Sequence, residues 1–167
     1  TQNLVRARGS PQYTPGGKGL NQAVALARLN VTTHIVGLVG TDKIADLVIN
    51  YLEQVAQDTA LITDGVHRKK DATTGVGMVI IDERDTKMTV SCAGANELID
   101  ETAAERAISL LHERNVGVLL VALEVPVPMT RKVAAAARAT GCLVALKPSP
   151  LNAANAAAVR EMLQDGS

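Results

Sequence analysis

The chain has 167 residues, 47% hydrophobic and 20% charged, with a formal net charge of zero. That composition fits one globular domain with a real core, and it lacks the basic footprint that nucleic acid or an anionic membrane would attract. Trp and Phe are absent and Tyr13 and Tyr51 are the two tyrosines, so the core is aliphatic and Ala-rich and the chain is poorly supplied for base stacking as a mode of recognition.

Thr1 to Pro15 is polar and carries Gly9, Ser10, Pro11 and Pro15, which predicts an irregular lead-in. The start at Thr1, with no initiator Met and no leader-like apolar run, reads as a processed or cut chain. From Gly16 the pattern changes. Leu20, Ala23, Val24, Ala27 and Val31 recur at helical spacing and predict a helix over Lys18–Leu29. Thr33–Val39 reads as a short buried strand, and Gly40-Thr41-Asp42 as a turn. Ile44–Val55 reads as an amphipathic helix with Leu47, Val48, Tyr51 and Leu52 on one face. Another short strand is predicted over Ala60–Thr63. Thr74–Ile81 and Lys87–Cys92 are rich in β-branched residues and are joined by Asp82-Glu83-Arg84-Asp85, which is the grammar of a hairpin.

Asp100 is placed to cap a helix that runs to about Arg114, with Glu101 in its first turn. Val116–Leu123 is a continuous apolar run, as expected of a parallel strand covered on both faces. Pro128–Thr140 predicts helix, Cys142–Leu146 strand and Ala153–Leu163 helix. No internal repeat, long linker or apolar run of the ~18 residues needed for a membrane span interrupts this order. Helix and strand alternate around a central hairpin, so the fold class is a layered α/β domain.

Two places in this order could carry chemistry. Pro15-Gly16-Gly17-Lys18-Gly19-Leu20-Asn21 opens the first helix, whose free amide groups favour polar oxygens. Lys18 is the informative residue, because a cation there opposes the helix dipole. Its position makes sense if it meets a hydroxyl, a phosphate or a carboxylate. The segment is not a Walker loop, since Gly-x-x-x-x-Gly-Lys-Ser/Thr spacing is missing; a plain glycine-rich helix entry is the competing reading. Glu124 follows an apolar strand, where ligands of open parallel sheets bind, and Pro126 and Pro128 are expected to end regular structure there. A solvated loop carboxylate is its alternative, as a surface lysine is for Lys147 and a turn-satisfying side chain for Asn96. Cys92 and Cys142 are isolated and read as buried or idle thiols, without a disulfide framework. His34, His67 and His112 lack the spacing of a zinc site.

The run Gly16-Gly17-Lys18-Gly19-Leu20-Asn21-Gln22-Ala23-Val24-Ala25-Leu26-Ala27-Arg28-Leu29, then Asp71-Ala72-Thr73-Thr74-Gly75-Val76 with its hairpin, Ala93-Gly94-Ala95-Asn96, Leu123-Glu124 and Lys147-Pro148-Ser149-Pro150 resemble, in order, the ribokinase-like (PfkB) carbohydrate kinases, the ribokinase branch most closely. The resemblance implies a ribokinase-like layered α/β domain with an inserted β-hairpin lid, and a reaction in which ATP phosphorylates a primary hydroxyl of ribose or a similar sugar. It implies that Gly16, Gly17 and Asn21 hydrogen-bond the sugar, that Lys18 lies beside it and that Glu124 takes its hydroxyls. The family's first strand would precede Thr1, and its catalytic base, ATP pocket and magnesium-placing segment would follow Ser167. One partial domain over 1–167, truncated at both ends, is thus implied, with no catalytic residue and with the sites for ATP and Mg2+ elsewhere. Lys147 stands where the family usually has Asn, Ala45 where it has Gly, and Thr41 where it has an acid. The implied partners are a ribose-like sugar and either a second copy through the lid or a larger complex, in a reducing intracellular compartment. The alternative is a non-catalytic subunit of a larger assembly. Edge strands and apolar sheet surface are expected to be exposed in this chain.

Overall fold

The stripe that starts at Leu20 organises the first layer. In the computed structural model, which describes residues 10–164, helix α1 (Lys18–Arg28) buries Leu20, Ala23, Val24 and Ala27, the inward positions its spacing predicts. The Val31 amide donates to the Leu26 carbonyl, the chain reverses within four residues, and β1 (Thr33–Val39) follows. Because α1 lies back against β1, Lys18 and Val39 occupy the same end of the layer. Asp42 caps α2 (Lys43–Asp58), its Oδ1 accepting from the Ala45 amide at 2.9 Å. The helix returns the chain to β2 (Leu61–Arg68), parallel to β1, with Thr33 opposite Leu61 and Val39 opposite Arg68. Leu20, Ala23, Val24 and Ala27 meet Leu52, Val55 and Leu61 in one continuous cluster, and Ile35, Val48 and Tyr51 pack around it.

The hairpin is β3 (Val76–Ile81) paired antiparallel with β4 (Lys87–Cys92), Val76 opposite Cys92 and Ile81 opposite Lys87. At its tip the Asp82 carboxylate accepts from the Arg84 and Thr86 amides, each at 2.8 Å, and these bonds, that of Thr86 first, hold it below the ordinary carboxyl pKa. A 3-10 turn at Gly94–Leu98 leads to α3 (Glu101–Glu113), capped as predicted by Asp100. Strand β5 (Val118–Ala122), helix α4 (Val127–Ala139) and strand β6 (Leu143–Lys147) form a second parallel unit, with Val118 opposite Leu143 and Ala122 opposite Lys147. Helix α5 (Ala153–Gln164) closes the described chain.

The mixed α/β class and element order stand as read, with three differences. The strand expected over Ala60–Thr63 extends to Arg68, because Gly65 lets β2 pass against β1: a Cβ there would lie 2.7 Å from the Ile35 carbonyl oxygen. Pro126 and Pro128 follow the end of β5 at Ala122, as expected, but they also start the next element. They open α4, Pro126 at the N-cap and Pro128 in the first turn, where a missing N–H leaves nothing unpaired. The strand expected over Val116–Leu123 is shorter and is not covered on both faces; Val118, Leu120 and Leu143 are exposed. Among the described residues the sheets have two strands each, so β5 has one neighbour. Of the lead-in predicted over Thr1–Pro15, residues 1–9 lie outside the described residues, and 10–15 are irregular.

Candidate functional site

The start of α1 and the end of β5 converge. Lys18 and Glu124, 106 residues apart, make two contacts: the Lys18 backbone N–H donates to Glu124 Oε2 at 2.7 Å, and Lys18 Nζ donates to Oε1 at 2.5 Å. Glu124 thus satisfies one of the unpaired amides at the helix start and neutralises the cation that opposes the helix dipole. Of the three partners the sequence allowed for Lys18, a carboxylate is the one the fold provides. Both side chains remain 32% exposed, so a ligand can reach them.

The glycines beside this pair differ in kind. Gly17 has φ 102°, a conformation that disfavours any side chain. Gly16 and Gly19 have no such reason: a Cβ at Gly16 would come no nearer than 4.0 Å to a protein atom, and one at Gly19 would meet nothing within 4 Å. Their missing side chains leave open backbone beside Lys18. Asn21 lies one turn on; its amide donates to the Gly17 carbonyl at 3.0 Å and its side chain is exposed. Gly16, Gly17, Lys18, Asn21 and Glu124 therefore share one end of the molecule. Lys147 is the last residue of β6 and exposed. Asn96 belongs to the 3-10 turn and packs its Nδ2 against Gly75, where a Cβ would lie 2.6 Å from it.

A second constellation at the carboxyl end of β1 escaped the sequence reading. Asp42 Oδ1 accepts from the Thr74 hydroxyl at 2.7 Å, Oδ2 accepts from the Thr74 amide at 2.7 Å, and the Thr74 oxygen accepts from the Gly40 amide at 3.0 Å. The Thr74 hydroxyl and then its amide hold the Asp42 carboxyl below its ordinary pKa. A Cβ on Gly40 would lie 2.3 Å from the Ala72 carbonyl oxygen, and one on Gly94 would lie 2.5 Å from that of Thr73. The sequence placed Asp42 in a turn; neither its cap of α2 nor its bond to a residue 32 positions on was foreseen.

No described group of three or more His, Cys, Asp or Glu side chains could hold a metal ion, and no described helix is long and apolar enough to cross a membrane. No described residue is assigned to ATP or Mg2+. Cys92 is exposed, Cys142 is buried, and both are free thiols. A cleft between α4 and α5 presents Arg131, Lys132 and Arg138, but these are engaged by Glu161, by Glu101 and Glu105, and by the Met162 carbonyl.

An open parallel layer with a glycine-lined helix start, an acid at a strand end and an inserted hairpin defines a class. The model of the pfkB family of carbohydrate kinases matches residues 1–165, and the chain belongs to that family. Within it, the chain is similar to ribokinases: that of Staphylococcus aureus (strain COL) at 30% identity over 141 residues, covering 83% of this chain and 43% of the relative, and that of Mus musculus at 29% over 135 residues, covering 81% and 40%. The structure of Arabidopsis thaliana ribokinase complexed with ribose and ATP superposes with a TM-score of 0.66 at 27% identity, over 80% of this chain and 42% of that one. The chain thus spans less than half the length of these relatives.

Proposed function

We propose that this chain supplies the sugar-binding residues of an ATP-dependent sugar kinase of ribokinase type, which phosphorylates a primary hydroxyl of ribose or a similar sugar. The observation that carries the reading is the Lys18–Glu124 pair, set at the end of a parallel layer beside the open backbone of Gly16 and Gly19. A neutral polyol needs both donors and acceptors held at fixed spacing. The Glu124 carboxylate accepts from sugar hydroxyls, Lys18 Nζ donates to them, and the Gly16 and Gly17 amides and the Asn21 side chain complete the ring of contacts. Their work is positioning, which holds the accepting hydroxyl in line while the phosphoryl donor supplies the group transferred. ATP, with Mg2+, is that donor.

Hairpin β3–β4 covers the sugar and pairs with a second copy; its exposed Met78, Ile80, Met88 and Val90, which share one face, supply the apolar surface for that pairing. The two free thiols suit a reducing compartment. The non-catalytic subunit is not favoured, because the relatives are named as kinases. The test is ribose-dependent ADP release by the native polypeptide that carries this sequence, beside its Glu124→Ala and Lys18→Ala variants. Each variant should lose about 30-fold or more in kcat/KM, the equivalent of a charge-assisted hydrogen bond of about 2 kcal/mol. A native polypeptide with no response to ribose or related sugars overturns the reading.

A further inference from the structure

Hairpin β3–β4 is fixed in space by its base. Every residue of β4 is exposed, as is all of β3 beyond Val76, so side-chain packing along its length does not set its angle. At the base, three segments meet: the turn after β1, residues 71–75 entering the hairpin, and residues 93–96 leaving it. Backbone bonds join them, from the Thr41 amide to the Ala72 carbonyl at 3.2 Å and from the Ala95 amide to the Thr73 carbonyl at 2.8 Å. Gly40, Gly75 and Gly94 let those backbones approach more closely than any side chain would permit.

Across this junction run the bonds of Asp42 and Thr74. Thr74 is 7% exposed, one of the two buried polar side chains among the described residues, and its hydroxyl both donates to Asp42 and accepts from Gly40. The bonds link the N-cap of α2 to the first residues of the hairpin, so the rigid β1–α2 layer and the hairpin share one fastening. We propose that Asp42 and Thr74 are positioning residues that set the angle of hairpin β3–β4 by locking its base to the carboxyl end of β1. The lock stands without the function proposed above.

The test is residue-resolved hydrogen exchange on the native polypeptide that carries this sequence. Thr74→Val removes the hydroxyl and keeps the shape; Asp42→Asn removes the charge. Either substitution should raise exchange at the Thr41, Thr74 and Ala95 amides about tenfold or more, while amides within the β1–β2 pair stay within about twofold, as local opening requires. Thr74→Ser restores the hydroxyl and should return the junction to the parent rates. Residual dipolar couplings of 76–81 and 87–92 should fit one alignment with β1 in the parent chain and fail to do so in Thr74→Val. If Asp42→Asn unfolds through loss of its helix cap, Thr74→Val decides alone. Unchanged protection at Ala95, or an equal rise throughout α1, β1 and β2, overturns the proposal. Because no sugar enters this experiment, its failure is distinct from a failure of the kinase reading.

Discussion

The two parallel units of this chain follow one plan and differ in what their helices carry. In the first, α1 and α2 bring Leu20, Val24, Leu52 and Val55 to β1 and β2, and one unbroken cluster results. In the second, α4 offers Ala134 and Ala137 where α2 offers Leu52 and Val55, and its apolar contacts divide. Leu111, Ala137 and Cys142 form one small cluster; Leu123, Val159 and Met162 form another. The same strand–helix–strand connection therefore yields unequal stability, because burial scales with apolar area and Ala has little to bury. Exposed Val118, Leu120 and Leu143 sharpen the contrast, since they leave one face of the second unit without a partner among the described residues.

Substitutions can test that inequality. Leu52→Ala, at a site 2% exposed in the continuous cluster, should cost about 3–4 kcal/mol in chemical denaturation and weaken α1, β1 and β2 together. Met162→Ala, at 3% exposed in a three-residue cluster, should cost about 2 kcal/mol, with the loss of exchange protection confined to β6 and α5. If the two losses are equal and equally widespread, the units are one cooperative core and the contrast is wrong. Glu124→Gln touches the bond between the units. It should change stability by no more than about 1 kcal/mol, since the pair is a third exposed, while shifting the NMR signal of the Lys18 amide. Ile80→Ser, on the outward hairpin, should change the unfolding free energy of a dilute sample by no more than about 0.5 kcal/mol in chemical denaturation. A larger drop would place Ile80 in packing that this fold does not provide.

Much of this architecture was legible in the chain because it is local. Periodicity from Leu20 to Ala27 gave α1 its inner face, β-branched runs around a charged turn gave the hairpin, and Asp100 announced α3. The misreadings come from context. Pro126 follows one element and caps the next, and the neighbour on each side of a strand decides whether it is covered. The candidate site was half legible for the same reason. Lys18 was suspicious against the helix dipole and Glu124 by its place after a strand, but no local pattern joins residues 106 positions apart. Gly40, Thr74 and Gly94 had still less to show. Their meaning is an approach of backbones distant in sequence, which leaves no periodic trace.

The bare hairpin has one more consequence. A segment whose residues face outward, and whose tip is closed by its own Asp82 bonds, can change in length and composition while the layers behind it keep their packing. Natural variation should therefore accumulate between 77 and 91 and stop at the glycine junction. For the engineer the same region is a cassette: foreign strands can be spliced onto an unaltered base and screened for new specificity without redesigning the core.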